Sequence, residues 1–159
     1  MSNQRVVVMA PGTQTISFTR EFEAPATRVF AAHIDPNLIP HWIGPRGTTV
    51  EMRHFDARTG GSWSYVVVGR GGRWAFHGSF HEVTAPSRLV QTFEYEDQPG
   101  HPNLDVLTFA DLPGGRSRID GLSVYLSAED RDLLADVDSG RNEDFDRLDE
   151  LLAGVSVAS

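Results

Sequence analysis

The sequence predicts an α+β domain, one antiparallel sheet laid against a long C-terminal helix, and three observations predict it. From Thr48 to Tyr125 apolar residues recur at every second position, in runs separated by turns rich in Gly, Pro and Asp; this is a succession of hairpins. From Ser127 to Ala153 the period changes. Leu134, Val137, Phe145, Leu148 and Leu152 follow one another in steps of three and four or their multiples, the stripe of an amphipathic helix. A helix of roughly 25 residues spans about 37 Å, and a stripe of that length needs one broad apolar surface to lie on.

The elements follow in order. Residues 1–12 end in Pro11-Gly12 and read as a flexible arm. Thr13 to Glu23 alternates, with Ile16, Phe18 and Phe22 against Ser17, Thr19 and Glu21, and reads as a strand. Pro25 suits a helix start, and Ala26 to Ile34 is a short helix with Val29 and Phe30 inward. Asp35 as N-cap and Pro36 as first residue open a second short helix through Trp42. Hairpin turns are expected at Thr59-Gly60-Gly61, Gly69-Arg70-Gly71-Gly72, Ala85-Pro86-Ser87 and Pro113-Gly114-Gly115. Between them Trp63, Tyr65 and Val67 form one strand. In the next, Trp74, Phe76, Gly78 and Phe80 take one face, and Arg73, Ala75, His77, Ser79 and His81 the other. Ser127-Ala128-Glu129-Asp130 is a capping-box-like start for the long helix, which is expected to run unbroken to Ala153. The whole is a single domain over residues 13–153 with a short tail, 154–159.

Composition narrows the function classes. The chain has 159 residues, 40 % hydrophobic and 23 % charged, enough for one core. Without cysteine there is no disulfide framework, thiolate nucleophile or zinc–cysteine site. A formal net charge of −8 argues against nucleic acid and anionic membranes as partners. No run approaches the roughly 18 apolar residues of a membrane span, and a cytoplasmic location is the expectation.

Several segments together resemble a known family. They are Arg20-Glu21-Phe22-Glu23-Ala24-Pro25, Asp35-Pro36, Trp42-Ile43-Gly44-Pro45-Arg46, Gly60-Gly61-Ser62-Trp63, Phe76-His77-Gly78, Phe80-His81-Glu82-Val83, Pro86-Ser87-Arg88-Leu89-Val90 and Arg147-Leu148-Asp149-Glu150-Leu151-Leu152. In this order they resemble the START-like (SRPBCC, helix-grip) superfamily, and most closely its bacterial branch similar to the activator of the 90-kDa heat-shock protein ATPase, beside the polyketide cyclase/dehydrase proteins. The resemblance runs from Thr15 to Leu152. It implies a curved seven-stranded sheet wrapped around the C-terminal helix, with two small helices closing one end. For function it implies less, since members bind lipids, polyketides, hormones or proteins, and a few are enzymes.

Candidate site residues come from the sheet and the helix. A cavity between them is where a small ligand would sit, and its candidate lining is Trp63, Tyr65, Trp74, Phe76, His77 and Phe93 on strands, Trp42 after the short helices, and Val137, Arg141 and Phe145 on the long helix. Arg141 falls where the stripe should be apolar, beside Gly140. It is either an anchor for a ligand carboxylate or hydroxyl, or a margin residue paired with Asp138 or Asp144. A buried carboxylate facing it, with Asp105 as a candidate, would make an ion pair or a site of shifted pKa. Glu82, at a strand end, is a second candidate carboxylate for acid–base work. Trp42 is a structural plug or a gate. His77 and His81 share a strand face but stand about 13 Å apart, too far to chelate one metal; His33, His41, His54 and His101 add no ligand spacing. No Gly-x-Ser-x-Gly or phosphate loop is present.

These residues support a binding module for a small, mostly apolar, lipid- or polyketide-like ligand, with or without an acidic group, and with no cofactor or metal. The alternatives are a cyclase/dehydratase-type enzyme working without metal, and a co-chaperone-like interaction module. An exposed edge strand would let two copies pair as a homodimer.

Overall fold

The computed structural model describes residues 3–154. Eight strands form one antiparallel sheet: β1 (Val6–Val8), β2 (Thr15–Phe22), β3 (Thr49–Phe55), β4 (Ser62–Gly69), β5 (Gly72–Thr84), β6 (Arg88–Tyr95), β7 (Asn103–Leu112) and β8 (Arg116–Val124). Their order across the sheet is β1-β2-β8-β7-β6-β5-β4-β3. Five tight hairpins give the run from β3 to β8. Of the two remaining pairings, β2 on β8 joins strands far apart in sequence, with Phe18 opposite Gly121. Helix α1 (Ala26–Ile34) and a 3-10 turn (Ile39–His41) follow β2.

The architecture is the expected α+β arrangement, with an eighth strand. The extra strand comes from the segment read as an arm: Val6–Val8 pairs with Ser17–Thr19 of β2. Charge then fixes the segment. Arg5 donates two hydrogen bonds to Asp138, at 2.8 and 3.2 Å, and Arg131 donates to the Ala10 carbonyl at 2.6 Å and to Thr13 Oγ1 at 2.9 Å. The second short helix is replaced by a turn at Asp35, whose carboxylate accepts the Asn37 N–H at 2.8 Å, followed by the single 3-10 turn.

The C-terminal helix is long but not continuous. It runs as α2 (Ala128–Leu133), α3 (Ala135–Ser139) and α4 (Arg141–Leu152). Ser127 caps α2 as expected, its Oγ accepting the Asp130 N–H at 3.0 Å. The first break is at Leu134, whose φ of −101° and ψ of 6° leave the helical region while its side chain turns into the core. The second is at Gly140, where no Cβ favours continued helix. Among the described residues no helix is long and apolar enough to cross a membrane.

The sheet closes on its inner face by setting glycines under aromatic rings. A Cβ at Gly121 would lie 2.3 Å from the Phe18 ring, and a Cβ at Gly78 would lie 2.7 Å from the Trp63 indole. Phe18 and Trp63 stand directly opposite these glycines in the register. Each ring therefore packs against bare backbone, at a distance that a side chain on the facing residue would not allow. Gly121→Ala should destabilise the protein by about 1–3 kcal/mol, the cost of overpacking a filled site, as a lowered midpoint in urea unfolding.

Candidate functional site

Helix α4 is docked mainly through polar contacts. Its fully buried apolar side chains are Phe145 and Leu148. Phe145 meets Phe18 and Phe22 of β2 at ring separations of 5.7 and 5.4 Å. Around this pair, buried arginines tie the helix down. Arg20 of β2 bonds Asp146 at 2.9 Å and Asp149 at 3.1 Å, and also donates to the Glu21 carbonyl. Arg147 donates to the carbonyls of His41 at 3.2 Å and Ile43 at 3.3 Å, and to that of Gly44. The Gly44 N–H donates to Asp144 Oδ1 at 2.9 Å, and Arg46 makes a bidentate pair with Glu150 at 2.7 and 2.9 Å. Asp144, Arg147 and Glu150 are spaced three apart, so one helix face grips the loop Trp42–Arg46.

Docked in this way, α4 covers the β2 side of the sheet and α1, and the inner faces of β4, β5 and β6 are left partly uncovered. The gap is a cavity of about 420 Å³. Its floor is aromatic: Trp63 stacks on Tyr65 at 5.0 Å, Phe76 lies 5.2 Å from Phe93, and Phe76 stacks on Tyr95 at 5.1 Å. Trp42 and Ile43 close one end. Trp42 is buried and fixed, its indole N–H donating to the Ala32 carbonyl at 3.1 Å. Pro45, Asp136 and Gly140 are lining residues exposed to solvent and mark the mouth.

Nine of the ten sequence candidates border this cavity: Arg141, Val137, Phe145, Trp42, Trp63, Tyr65, Trp74, Phe76 and Phe93. His77 does not. It lies on the outer face of β5, half exposed, with Nδ1 2.9 Å from Glu96 and Nε2 3.7 Å from Glu94. The strict alternation of β5 puts its side chain opposite to those of Phe76 and Gly78. Glu82 forms an exposed pair with Arg88 at 3.1 Å.

Arg141 is held by a partner on the sheet, not chiefly by its helical neighbours. It donates to Asp105 at 2.6 Å and to Ser123 Oγ at 3.4 Å; Asp138 stands 3.8 Å away. Asp105 is wholly buried and also accepts from Asn103 at 2.8 Å and Ser123 at 2.6 Å. With Arg5 on Asp138, the four charges alternate along the helix–sheet seam and sum to zero. The guanidiniums of Arg5 and Arg141 both lie over the Phe18 ring, at 5.0 and 5.3 Å.

Among the polar lining residues that sequence reasoning did not place on the cavity are His33, Tyr95, Tyr125 and Asp144. His33 Nδ1 donates to the Val29 carbonyl at 2.8 Å, and the buried Nε2 has no hydrogen-bond partner among the described residues. Burial holds its pKa down at about 4, opposed in part by the Val29 bond. Burial pushes the Asp144 carboxyl up to about 7, opposed by the Gly44 N–H and by Arg147 and Arg141. The signal for Asp144 was present: it lies one turn beyond Arg141, on the same side of the helix. Among the described residues no cluster of three metal-ligating side chains occurs.

Two predictions follow from these charges. Arg141→Met should destabilise the protein by about 3 kcal/mol in chemical denaturation, because Asp105 stays buried without its cation. The second concerns Asp144, whose native pKa is raised above the unfolded 3.8. Its favourable contribution is present below that value and is lost as pH rises through about 7. Asp144→Asn should therefore gain stability relative to the wild type as pH rises from about 4 to about 7, with a constant difference above that. Unfolding curves of the two proteins across this range check it.

A family model described as activator of Hsp90 ATPase homolog 1-like protein matches residues 23–153. No curated protein matches the chain. Among solved structures, one from Rhodobacter sphaeroides is 26 % identical with a TM-score of 0.84, over 96 % of this chain and 99 % of that one. Protein Ms6760 from Mycobacterium smegmatis is 26 % identical with a TM-score of 0.83, over 95 % and 98 %. CalU16 from Micromonospora echinospora shares the fold at 20 % identity with a TM-score of 0.64, over 96 % and 87 %. With 131 consecutive residues matched by the family model, the chain belongs to the activator of Hsp90 ATPase homolog 1-like family.

Proposed function

We propose that this domain binds a small, neutral, predominantly apolar molecule with an aromatic or other flat portion, between the sheet and the helix segments. One observation carries the reading. The chain has three tryptophans and three tyrosines, and all six line the cavity: Trp42, Trp63, Trp74, Tyr65, Tyr95 and Tyr125. A core needs apolar volume, which Leu, Ile and Phe supply without polar atoms; amphipathic rings gathered on one void suit recognition of a ligand with a large apolar body and a few polar points. The volume falls within the range of small-molecule pockets, roughly 300–1,000 Å³.

The charges argue for a neutral ligand over the acidic one that Arg141 first suggests. Its guanidinium is committed to Asp105, with Asp138 beside it, and Asp136, Asp138 and Asp144 also border the space. A ligand carboxylate would enter among these and gain no unmatched cation.

Because every tryptophan borders the cavity, intrinsic fluorescence reports on it directly. A panel of neutral polycyclic aromatics, steroids, fatty acids and aromatic acids, screened by quenching and thermal shift, should give saturable quenching and a rising melting temperature for the neutral flat compounds and weaker effects for the acids. Trp63→Ala should lower affinity for the best compound about 10- to 100-fold through lost contact area. A panel in which no compound quenches saturably or shifts the melting temperature would overturn the reading.

A further inference from the structure

We propose that the cavity is also a proton-transfer site for a neutral ketone, with Asp144 as the base and the Tyr65 phenol as donor to the carbonyl oxygen. This rests on reading the cavity as a small-molecule site. Asp144 offers one engaged and one free oxygen: Oδ1 accepts the Gly44 N–H, and Oδ2 has no hydrogen-bond partner among the described residues. Oδ1 is thereby oriented by backbone, and Oδ2 is left for the ligand. Tyr65 is only 8 % exposed, yet its hydroxyl has no partner among the described residues, and its ring is fixed against Trp63 and Phe76. Burial raises its pKa, and Asp144 is the charge that adds most to the rise, so the phenol stays protonated and stands within the field of the carboxylate. Arg141 borders the same space.

A base, an unpaired donor and an apolar enclosure are what removal of a proton next to a carbonyl requires. Asp144 takes the proton from the carbon adjacent to the ketone. The C–H electron pair becomes the carbon–carbon double bond, and the carbonyl π pair moves onto oxygen. The enolate oxygen accepts the Tyr65 O–H bond, and Arg141, already paired with Asp105, adds no unmatched charge. Return of the proton from Asp144 to the same carbon regenerates the ketone, and nothing is consumed. The groups facing Asp144 are Arg141, Glu143 and Arg147 on its own helix, the Gly44 N–H from the loop and Tyr65 from β4. Their balance with burial leaves the carboxyl titrating at about 7, where base and conjugate acid are both present.

The test uses 2-tetralone, a flat neutral ketone, with the full-length protein in deuterium oxide. Proton NMR follows loss of the signals adjacent to the carbonyl, and tryptophan quenching follows binding in the same samples. The wild type should quench saturably and accelerate exchange above buffer, with a rate that rises with pH through about 7 and then levels. Asp144→Asn keeps an acceptor for Gly44 and should lose about 100-fold of the acceleration, together with the pH step, while quenching is retained. Tyr65→Phe should lose about 100-fold with binding likewise retained. Saturable quenching with no accelerated exchange, or exchange unchanged in Asp144→Asn, overturns the inference and leaves the binding reading intact. A ketone that neither quenches nor exchanges overturns the inference, and the compound panel then decides the binding reading separately.

Discussion

The fold depends on how α4 is attached. A helix with two fully buried apolar side chains cannot be held by area alone, since each contributes only about 1.5–3 kcal/mol. The deficit is met by buried guanidiniums. Arg20 spans from β2 to two aspartates of the helix, and Arg147 gathers three backbone carbonyls of the loop before β3. Such contacts are directional, and they fix where the helix sits more narrowly than a greasy stripe would. They place α4 over β2 and α1, and the rest of the inner sheet is left for the cavity.

A second consequence is electrical. The seam between helix and sheet holds Arg5, Asp138, Arg141 and Asp105 in alternation. Each buried charge has its counter-charge inside the protein, so the seam needs none from a ligand. Asp144 stands apart from this balance, with a backbone N–H as its bonded partner, and burial there outweighs the Gly44 N–H and the two nearby arginines.

Much of the fold was legible because hairpins are local. Turn glycines and two-residue periodicity set β3 through β8, and the same periodicity set which aromatics face inward. It also sets His77 on the face opposite Phe76, against the reading of His77 as a lining residue, and the side chain lies outward on Glu96. Val6–Val8 was not legible: three apolar residues become a strand only by pairing with β2 and through Arg5 reaching Asp138. The break at Leu134 was hidden for a related reason. Neither glycine nor proline marks it, and its cause is the core's demand on one leucine. In the site, Arg141 stood out because it broke a pattern, but its partner Asp105 lies across the helix–sheet seam, where spacing along the chain carries no information. Tyr125 and His33 broke no pattern at all.

The glycines beneath Phe18 and Trp63 carry a consequence for how this chain can change. They divide the inner sheet into two territories. Under Phe18 lies the half that binds α4, where nearly every side chain has a structural duty. Under Trp63 lies the half that faces open space, where a ring replaced by another ring alters the shape of the void and leaves the helix attachment untouched. Selection for a different ligand can therefore work on β4, β5 and β6 alone, while the arginine-held half stays constant and keeps the fold.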